Sequence, residues 1–367
     1  MNFALSDEQE LLKEAARGAL SRAGTVAGAR DALDGGALPD LWPVAVAAGW
    51  PGLLVSEARG GAKLAPLEAM LVFEELGRVL ASPGLLGHLP ASWLADRGGA
   101  QDDVVEALAA GDARAAFAGA APPGDVEERW TADPSLGLRR ADPPSLTADG
   151  AVSGVAHWVP DAPGADHLVV VLDDGRAALV AGADVTVEPV VRYDATRALG
   201  HVQFDGAPAA LLDADAAVAW HLAQALLAAE SLGAVEVALA TSVAYAKERH
   251  TFGRAIGSYQ AVKHELVEIL RRADNARSLM YYAGWAAQDK PEEFALAAAA
   301  FRVAASKALD HATRTQISVH GGIGATWEHD APLYFRRAQL ARRLLGGEAG
   351  AADRVAGELL SAARVAA

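Results

Sequence analysis

The chain has 367 residues, 52% hydrophobic and 22% charged, which excludes a disordered chain and makes about two domains the expectation from length. Its net charge of −15 argues against nucleic acid as the main partner, although a local arginine cluster can still hold an anionic ligand. There is no cysteine, hence no disulfide, thiol nucleophile or thiolate metal site, and the ten histidines show no metal-ligand spacing.

Acids stand early, at Asp7, Glu8 and Glu10, unlike the start of a signal peptide. No apolar run of about 18 residues lacks polar interruption, so neither a transmembrane helix nor a membrane partner is expected, and the chain reads as cytoplasmic. Ser6-Asp7-Glu8-Gln9 has the form of a capping box, opening a helix to about Ala23. Gly35-Gly36 mark a loop, Leu41 to Ala48 a short helix, and Leu67 to Leu80 an amphipathic helix with Val72, Phe73, Leu76 and Leu80 near helical spacing. On that helix Glu74 and Glu75 read as a charged shoulder, with functional acids as the alternative. Asp103 to Ala110 is a further short helix, and residues 1–112 read as a helical domain.

From Ala113 to Leu212 the pattern changes to short apolar runs between Pro and Gly clusters, which predicts a β-domain over 113–212. His167 to Leu172 and Ala177 to Val180 read as a hairpin turning at Asp173-Asp174-Gly175-Arg176, with further strands over Val185 to Val191 and Ala198 to Phe204. The helical period returns near Ala214. Long alanine- and leucine-striped helices are predicted to about Arg249, from Ser258 to Ala287, from Pro291 to about Val319, and from Ala331 to the end. Helices of this length normally pack antiparallel in a bundle, here 213–367, and leave apolar faces that imply oligomerisation.

The first two long helices are joined by Glu248-Arg249-His250-Thr251-Phe252-Gly253-Arg254 and then Ser258-Tyr259-Gln260. Taken alone, this is a helix C-cap with a solvated basic corner: Gly253 and Gly257 let the chain turn, and the arginines sit at the negative end of the helix dipole. The pattern E-R-x-T-F-G-x-x-I-x-x-x-Q also resembles the signature between two C-terminal helices of acyl-CoA dehydrogenases. The same family is matched by His320-Gly321-Gly322-Ile323-Gly324, by Leu53 to Gly61 and by Phe73-Glu74-Glu75-Leu76-Gly77, so the resemblance covers nearly the whole chain. It implies an α+β, acyl-CoA dehydrogenase-like fold: an N-terminal helical domain, a middle β-domain and a C-terminal four-helix bundle. It implies FAD as cofactor, an acyl-CoA thioester as substrate and an electron-accepting flavoprotein as redox partner, with lipid or steroid catabolism as the setting.

In that family a carboxylate removes the α proton of the thioester while the flavin takes the β hydride. One family position for the base falls here on Leu345, the other on Ala223, so neither carries an acid. Glu230, two helical turns beyond Ala223, is the candidate displaced base, with a structural glutamate as the alternative; Glu348 is a weaker candidate. The family's cis flavin segment, L-T-E-x-x-x-G-S-D, corresponds to Ala116 through Asp125 and lacks its threonine and glutamate. Its second segment survives as His157-Trp158-Val159-Pro160, where Trp158 flanks the flavin or fills the core.

The half that the family donates to a neighbouring subunit is better kept. It implies Arg249 on the flavin pyrophosphate, Thr251 and Phe252 beside the cofactor, a Gln260 hydrogen bond, and close backbone approach at Gly321 and Gly322. Ser318 stands where the family often has glutamine, and Gln316 is displaced by two residues. His320 reads as a packing residue rather than a catalyst. Thr326-Trp327-Glu328-His329-Asp330 resembles a variant of actinobacterial-type members, some of which form α2β2 assemblies. The expectation is a subunit that completes a homologous partner's FAD site in trans. The alternatives are a homotetramer with a relocated base, a non-catalytic assembly subunit, and a related oxidase or hydroxylase needing no carboxylate.

Overall fold

The structure is a computed structural model and describes residues 4–119, 143–190 and 194–365. Six helices come first: α1 (Asp7–Leu20), α2 (Thr25–Leu33), α3 (Trp42–Ala47), α4 (Pro66–Arg78), α5 (Leu85–Arg97) and α6 (Asp102–Ala110). The capping box forms as its residues dictate, with Gln9 N–H donating to Ser6 Oγ and Ser6 N–H to Gln9 Oε1. Two of these helices were not expected from the sequence. α2 contains Gly28 in an alanine-arginine run. α5 is apolar on every side and holds Pro90 within it, so it reads as neither amphipathic helix nor strand until its surroundings are known.

Seven strands follow: β1 (Ala115–Ala118), β2 (Ser145–Leu146), β3 (Ala151–Pro160), β4 (His167–Val171), β5 (Ala177–Ala181), β6 (Val185–Pro189) and β7 (Leu199–Leu212). They form one sheet in the order β1-β4-β5-β7-β3-β2, with β6 also paired to β7. β1 and β4 run parallel, whereas the predicted β4–β5 hairpin is antiparallel in the register His167 to Ala181. Alternation sorts the two faces: Phe117, Val169, Val171 and Leu179 pack on the helices, while Ala118, Leu168, Val170 and Val180 form a second core with Val202 and Phe204. β7 continues eight residues past the expected Phe204 because its far half pairs with β5. β3, which the sequence did not mark as a strand, pairs with β7 through a register shift between Ala156 and Val159.

The C-terminal part is α7 (Ala216–Glu248), the small hairpin β8 (His250–Thr251) and β9 (Arg254–Ala255), α8 (Gln260–Asp289), α9 (Pro291–His320), α10 (Ala331–Ala341) and α11 (Gly347–Val365). The last helical region is therefore two helices, broken at 342–346, where Leu345 has φ +52°. α7 is long and apolar enough to cross a membrane by length and composition, contrary to the expectation above; 67% of its most apolar window is buried inside the molecule.

α4 and α7 meet at two glycines. A Cβ at Gly77 would lie 1.8 Å from the Glu230 carbonyl oxygen, and one at Gly233 would lie 1.8 Å from that of Glu74, so only glycine fits at either place. Glu74 and Glu75 are not a solvated shoulder. Both are buried, Glu74 against Lys13 at 2.7 Å and Arg277 at 3.2 Å, Glu75 against Arg17 at 2.8 Å. Arg78 and Arg277 also hold Glu236 on α7. Burial pushes the Glu74 carboxyl above its ordinary value against the pull of Lys13.

Candidate functional site

The chain leaves α7 at Arg249, whose backbone is extended and whose carbonyl accepts from Ile256 N–H at 2.8 Å. The β8–β9 hairpin closes there, with Phe252 and Gly253 at its tip and φ of +51° and +79°. Two successive positive φ angles are the requirement of a type I′ turn, and Gly253 meets it without cost. Phe252 does not, since a bulky residue rarely adopts the left-handed region. It is 97% exposed, so no contact among the described residues compensates. Tyr259 braces the hairpin: its hydroxyl donates to the Thr251 carbonyl at 3.2 Å, and the Arg254 guanidinium lies 4.1 Å from its ring centre. Gly257 has a steric reason, because a Cβ there would stand 2.8 Å from the Ala246 carbonyl oxygen.

At the root of the hairpin is a cleft of about 550 Å³ between the start of α8 and the end of α9. Thr251, Phe252, Ile256, Tyr259, Thr315 and Ser318 line it. Arg249 and Gln260 are exposed on the elements that frame it. Past the end of α9, Gly321 has φ +63° and ψ −138°, a backbone conformation open essentially to glycine alone. Gly322 has no such need: its φ is not positive, and a Cβ built on it meets nothing within 4 Å. Nothing among the described residues requires glycine there; its surroundings have room for a ligand's close approach. These features fit the phosphate and adenosine end of a flavin nucleotide, which needs a cation, an apolar wall and exposed backbone.

Of the predicted residues, Thr251, Phe252 and Ser318 line this cleft, and Arg249, Gln260, Gly321 and Gly322 belong to the elements around it. Gln316 is turned inward, buried, and donates to Thr241 Oγ1 at 2.9 Å. His320 is buried too, 4.4 Å from the ring of Tyr245 and 4.3 Å from that of His329. Trp158 lies elsewhere, on β3 at φ +56°, packed edge-on against His201 and within the helix-side core. Of the segment aligned with L-T-E, Ala116 through Ala118 are in β1, while 120–125 lie outside the described residues.

Glu230 is buried and accepts from two guanidiniums, Arg197 and Arg337, whose side chains are 2% exposed. Arg337 also bonds Asp194 at 2.9 Å, Ser82 at 3.0 Å and the Leu80 carbonyl at 3.2 Å. The cluster thus joins the α4–α5 turn, the loop before β7, α7 and α10. A carboxylate held by two guanidiniums is poorly placed to take a carbon-bound proton. Glu348 opens α11 and lies 3.8 Å from Arg342.

The two family base positions, Ala223 and Leu345, are both buried. Gln224, beside the first, donates its side-chain N–H to the Leu345 carbonyl, and its Oε1 accepts from Arg302 Nε at 3.1 Å. Arg302 is fully buried and also donates to the carbonyls of Ala341 and Leu344, tying down the whole α10–α11 turn. Burial lowers its pKa to about 10. Sequence reasoning missed this arginine. The available signal was its place in the Ala298, Arg302, Ala305, Leu309 stripe, the buried face of α9.

Family models for the acyl-CoA dehydrogenase N-terminal and C-terminal domains match residues 6–102 and 216–360. Acyl-CoA dehydrogenase IpdE2 of Mycolicibacterium smegmatis is 30% identical over 347 residues, covering 93% of this chain and 96% of that protein. The chain belongs to the acyl-CoA dehydrogenase family. Acyl-CoA dehydrogenase FadE34 of Mycobacterium tuberculosis is 35% identical over 361 residues, 94% of this chain, which spans only 47% of that relative. The solved structure of the Tcur3481-Tcur3483 steroid ACAD G363A variant superposes with TM-score 0.85 at 26% identity, over 98% of this chain and 99% of that one. The helix–sheet–helix architecture is that of acyl-CoA dehydrogenases, and FAD is the cofactor of the family.

Proposed function

We propose that this acyl-CoA dehydrogenase chain completes the FAD site of a homologous partner, in an α2β2 assembly that oxidises an acyl-CoA thioester between its α and β carbons. The observation that carries the reading is Phe252: a strained, 97% exposed aromatic on a braced hairpin beside a cleft, with no packing partner among the described residues. Arg249 would pair with the cofactor's pyrophosphate, Phe252 would pack on its adenosine or flavin side, and Gln260 would hydrogen-bond it. Gly321 and Gly322 would admit its phosphates to the backbone. When bound, FAD supplies the hydride acceptor. The proton acceptor then comes from the partner, since Ala223 and Leu345 carry no carboxylate and Glu230 is held by Arg197 and Arg337.

Two likenesses support the pairing. The part of FadE34 outside the matched 47% is long enough for a second unit of this size. The Tcur3481-Tcur3483 dehydrogenase is named for two chains. The experiment is expression of the chain alone and with the product of a neighbouring homologous gene, followed by a flavin-to-chain count and an acyl-CoA turnover assay with an electron-accepting flavoprotein. One flavin per two chains, with activity only in the pair, is the expected result. A chain that alone binds one flavin and oxidises an acyl-CoA overturns it.

A further inference from the structure

The cleft at the root of the β8–β9 hairpin has two unlike ends. Tyr245 of α7, one turn before Arg249, stacks on His320 with ring centres 4.4 Å apart, which sets Arg249 and the Gly321-Gly322 turn at one end. From that turn α9 leads back along the cleft. Ser318 and Thr315 line it at successive levels, and His311 stands one turn further on. At the rise of an α-helix, His311 is about 15 Å along the axis from Gly321. On the facing helix α8 and the residue before it, Tyr259, Val262 and Glu265 line the cleft in the same direction. Glu265 Oε2 lies 3.8 Å from His311 Nε2, so this carboxylate marks the end opposite the glycine turn.

Among the described residues that line the cleft, Glu265 alone is charged. Its side chain is 58% exposed, and His311 at 3.8 Å is beyond hydrogen-bonding range, so that contact leaves the acceptor oxygens open to a ligand. A carboxylate repels phosphate. It therefore directs the phosphates of a bound nucleotide to the Arg249 end and leaves the base at its own end. An ionised carboxylate accepts hydrogen bonds and cannot donate them. Adenine offers it a 6-amino donor, whereas guanine and hypoxanthine would set a 6-oxo acceptor against it, oxygen facing oxygen. Ile256, Tyr259 and Val262 give any purine the same apolar wall, so the choice between bases falls to Glu265.

Given a flavin nucleotide in this cleft, as proposed above, we infer that Glu265 selects its adenine: the carboxylate accepts from the 6-amino group and turns away a 6-oxo purine. Titration calorimetry on the assembled enzyme, freed of flavin by dialysis, would compare ADP with IDP, which differ only at that edge of the base. ADP is expected to bind about tenfold more tightly, the scale of one base-reading contact. Glu265→Gln should bring the two within about threefold of each other, because an amide can turn its N–H toward a 6-oxo group. A residue that only shaped the cleft would change both affinities together. The side chain is largely exposed, so the substitution is compatible with folding. Arg249→Ala should weaken ADP and IDP alike, since it acts on the phosphates. Equal binding of ADP and IDP, or a preference for ADP that survives Glu265→Gln, overturns the role of Glu265 and leaves the flavin reading in place. No saturable heat from either nucleotide overturns both.

Discussion

Glu230→Gln separates a structural carboxylate from a catalytic one. The substitution keeps the shape but removes the charge that faces Arg197 and Arg337, leaving Asp194, 2.9 Å from Arg337, and the buried Asp161, which both arginines also attract, as nearby acids. Removing one partner of a buried pair costs about 3–5 kcal/mol, since the other charge stays buried without compensation. For a 367-residue chain the unfolding entropy is about 0.8 kcal/mol per degree, so a chain melting as one unit should lose about 4–6 °C. The assay is a thermal melt of the variant beside acyl-CoA turnover of the assembled enzyme. The expected result is a lowered melting temperature, with turnover kept below it. An unmoved melting temperature with turnover down several orders of magnitude would refute the reasoning and make Glu230 the base.

Arg249→Ala in the assembled enzyme should weaken flavin retention on dialysis by about 1.5–3 kcal/mol, the worth of one charge-assisted contact; unchanged retention removes Arg249 from the site. Leu345→Glu should not create a working base, because a carboxylate there enters a turn bonded by Arg302 and Gln224; a gain in turnover of the chain alone would contradict this. Gly233→Ala should destabilise by about 3 kcal/mol or more, as its methyl meets the Glu74 carbonyl, read as a drop in the denaturant midpoint. Complete burial lowers the His88 pKa to about 4, and its Nδ1 accepts from Ala115 N–H at 3.1 Å. The unfolded chain takes up that proton near pH 6.5 and the folded one does not, so stability should fall by about 3 kcal/mol as pH drops from 6.5 to 4. His88→Gln should flatten that limb of the stability-pH curve.

Periodicity made α1, α8 and α9 legible, because each has one face on the core and one outside, whereas α4 and α7, buried on every side over 69–77 and 219–235, were legible from their apolar, helix-favouring composition. It failed for α5, whose sides are all buried, and α2, a nine-residue run with Gly28 inside it, was missed. That Thr251, Phe252, Ile256 and Tyr259 come together at one cleft was legible because they stand in one local motif, Arg249 to Gln260. The Arg302–Gln224–Leu345 lock and the Glu230–Arg197–Arg337 cluster were not, since each joins residues from distant elements. Glu74 and Glu75 show the same limit: their ion-pair partners come from α1, α8 and α4 itself, and sequence alone does not bring these together.

The glycine contact between α4 and α7 fixes these two helices against each other. At Gly77 and Gly233 the helices touch backbone to backbone, so sliding or rolling one along the other drives a carbonyl oxygen into a Cα. The first helices and the bundle therefore move as a single rigid body. The sheet is held to them too: a Cβ at Gly87 on α5 would lie 2.6 Å from the Pro160 carbonyl oxygen of β3, and Arg197, in the loop before β7, pairs with Glu230 on α7. The distance between α4 and α7 should stay constant on ligand capture.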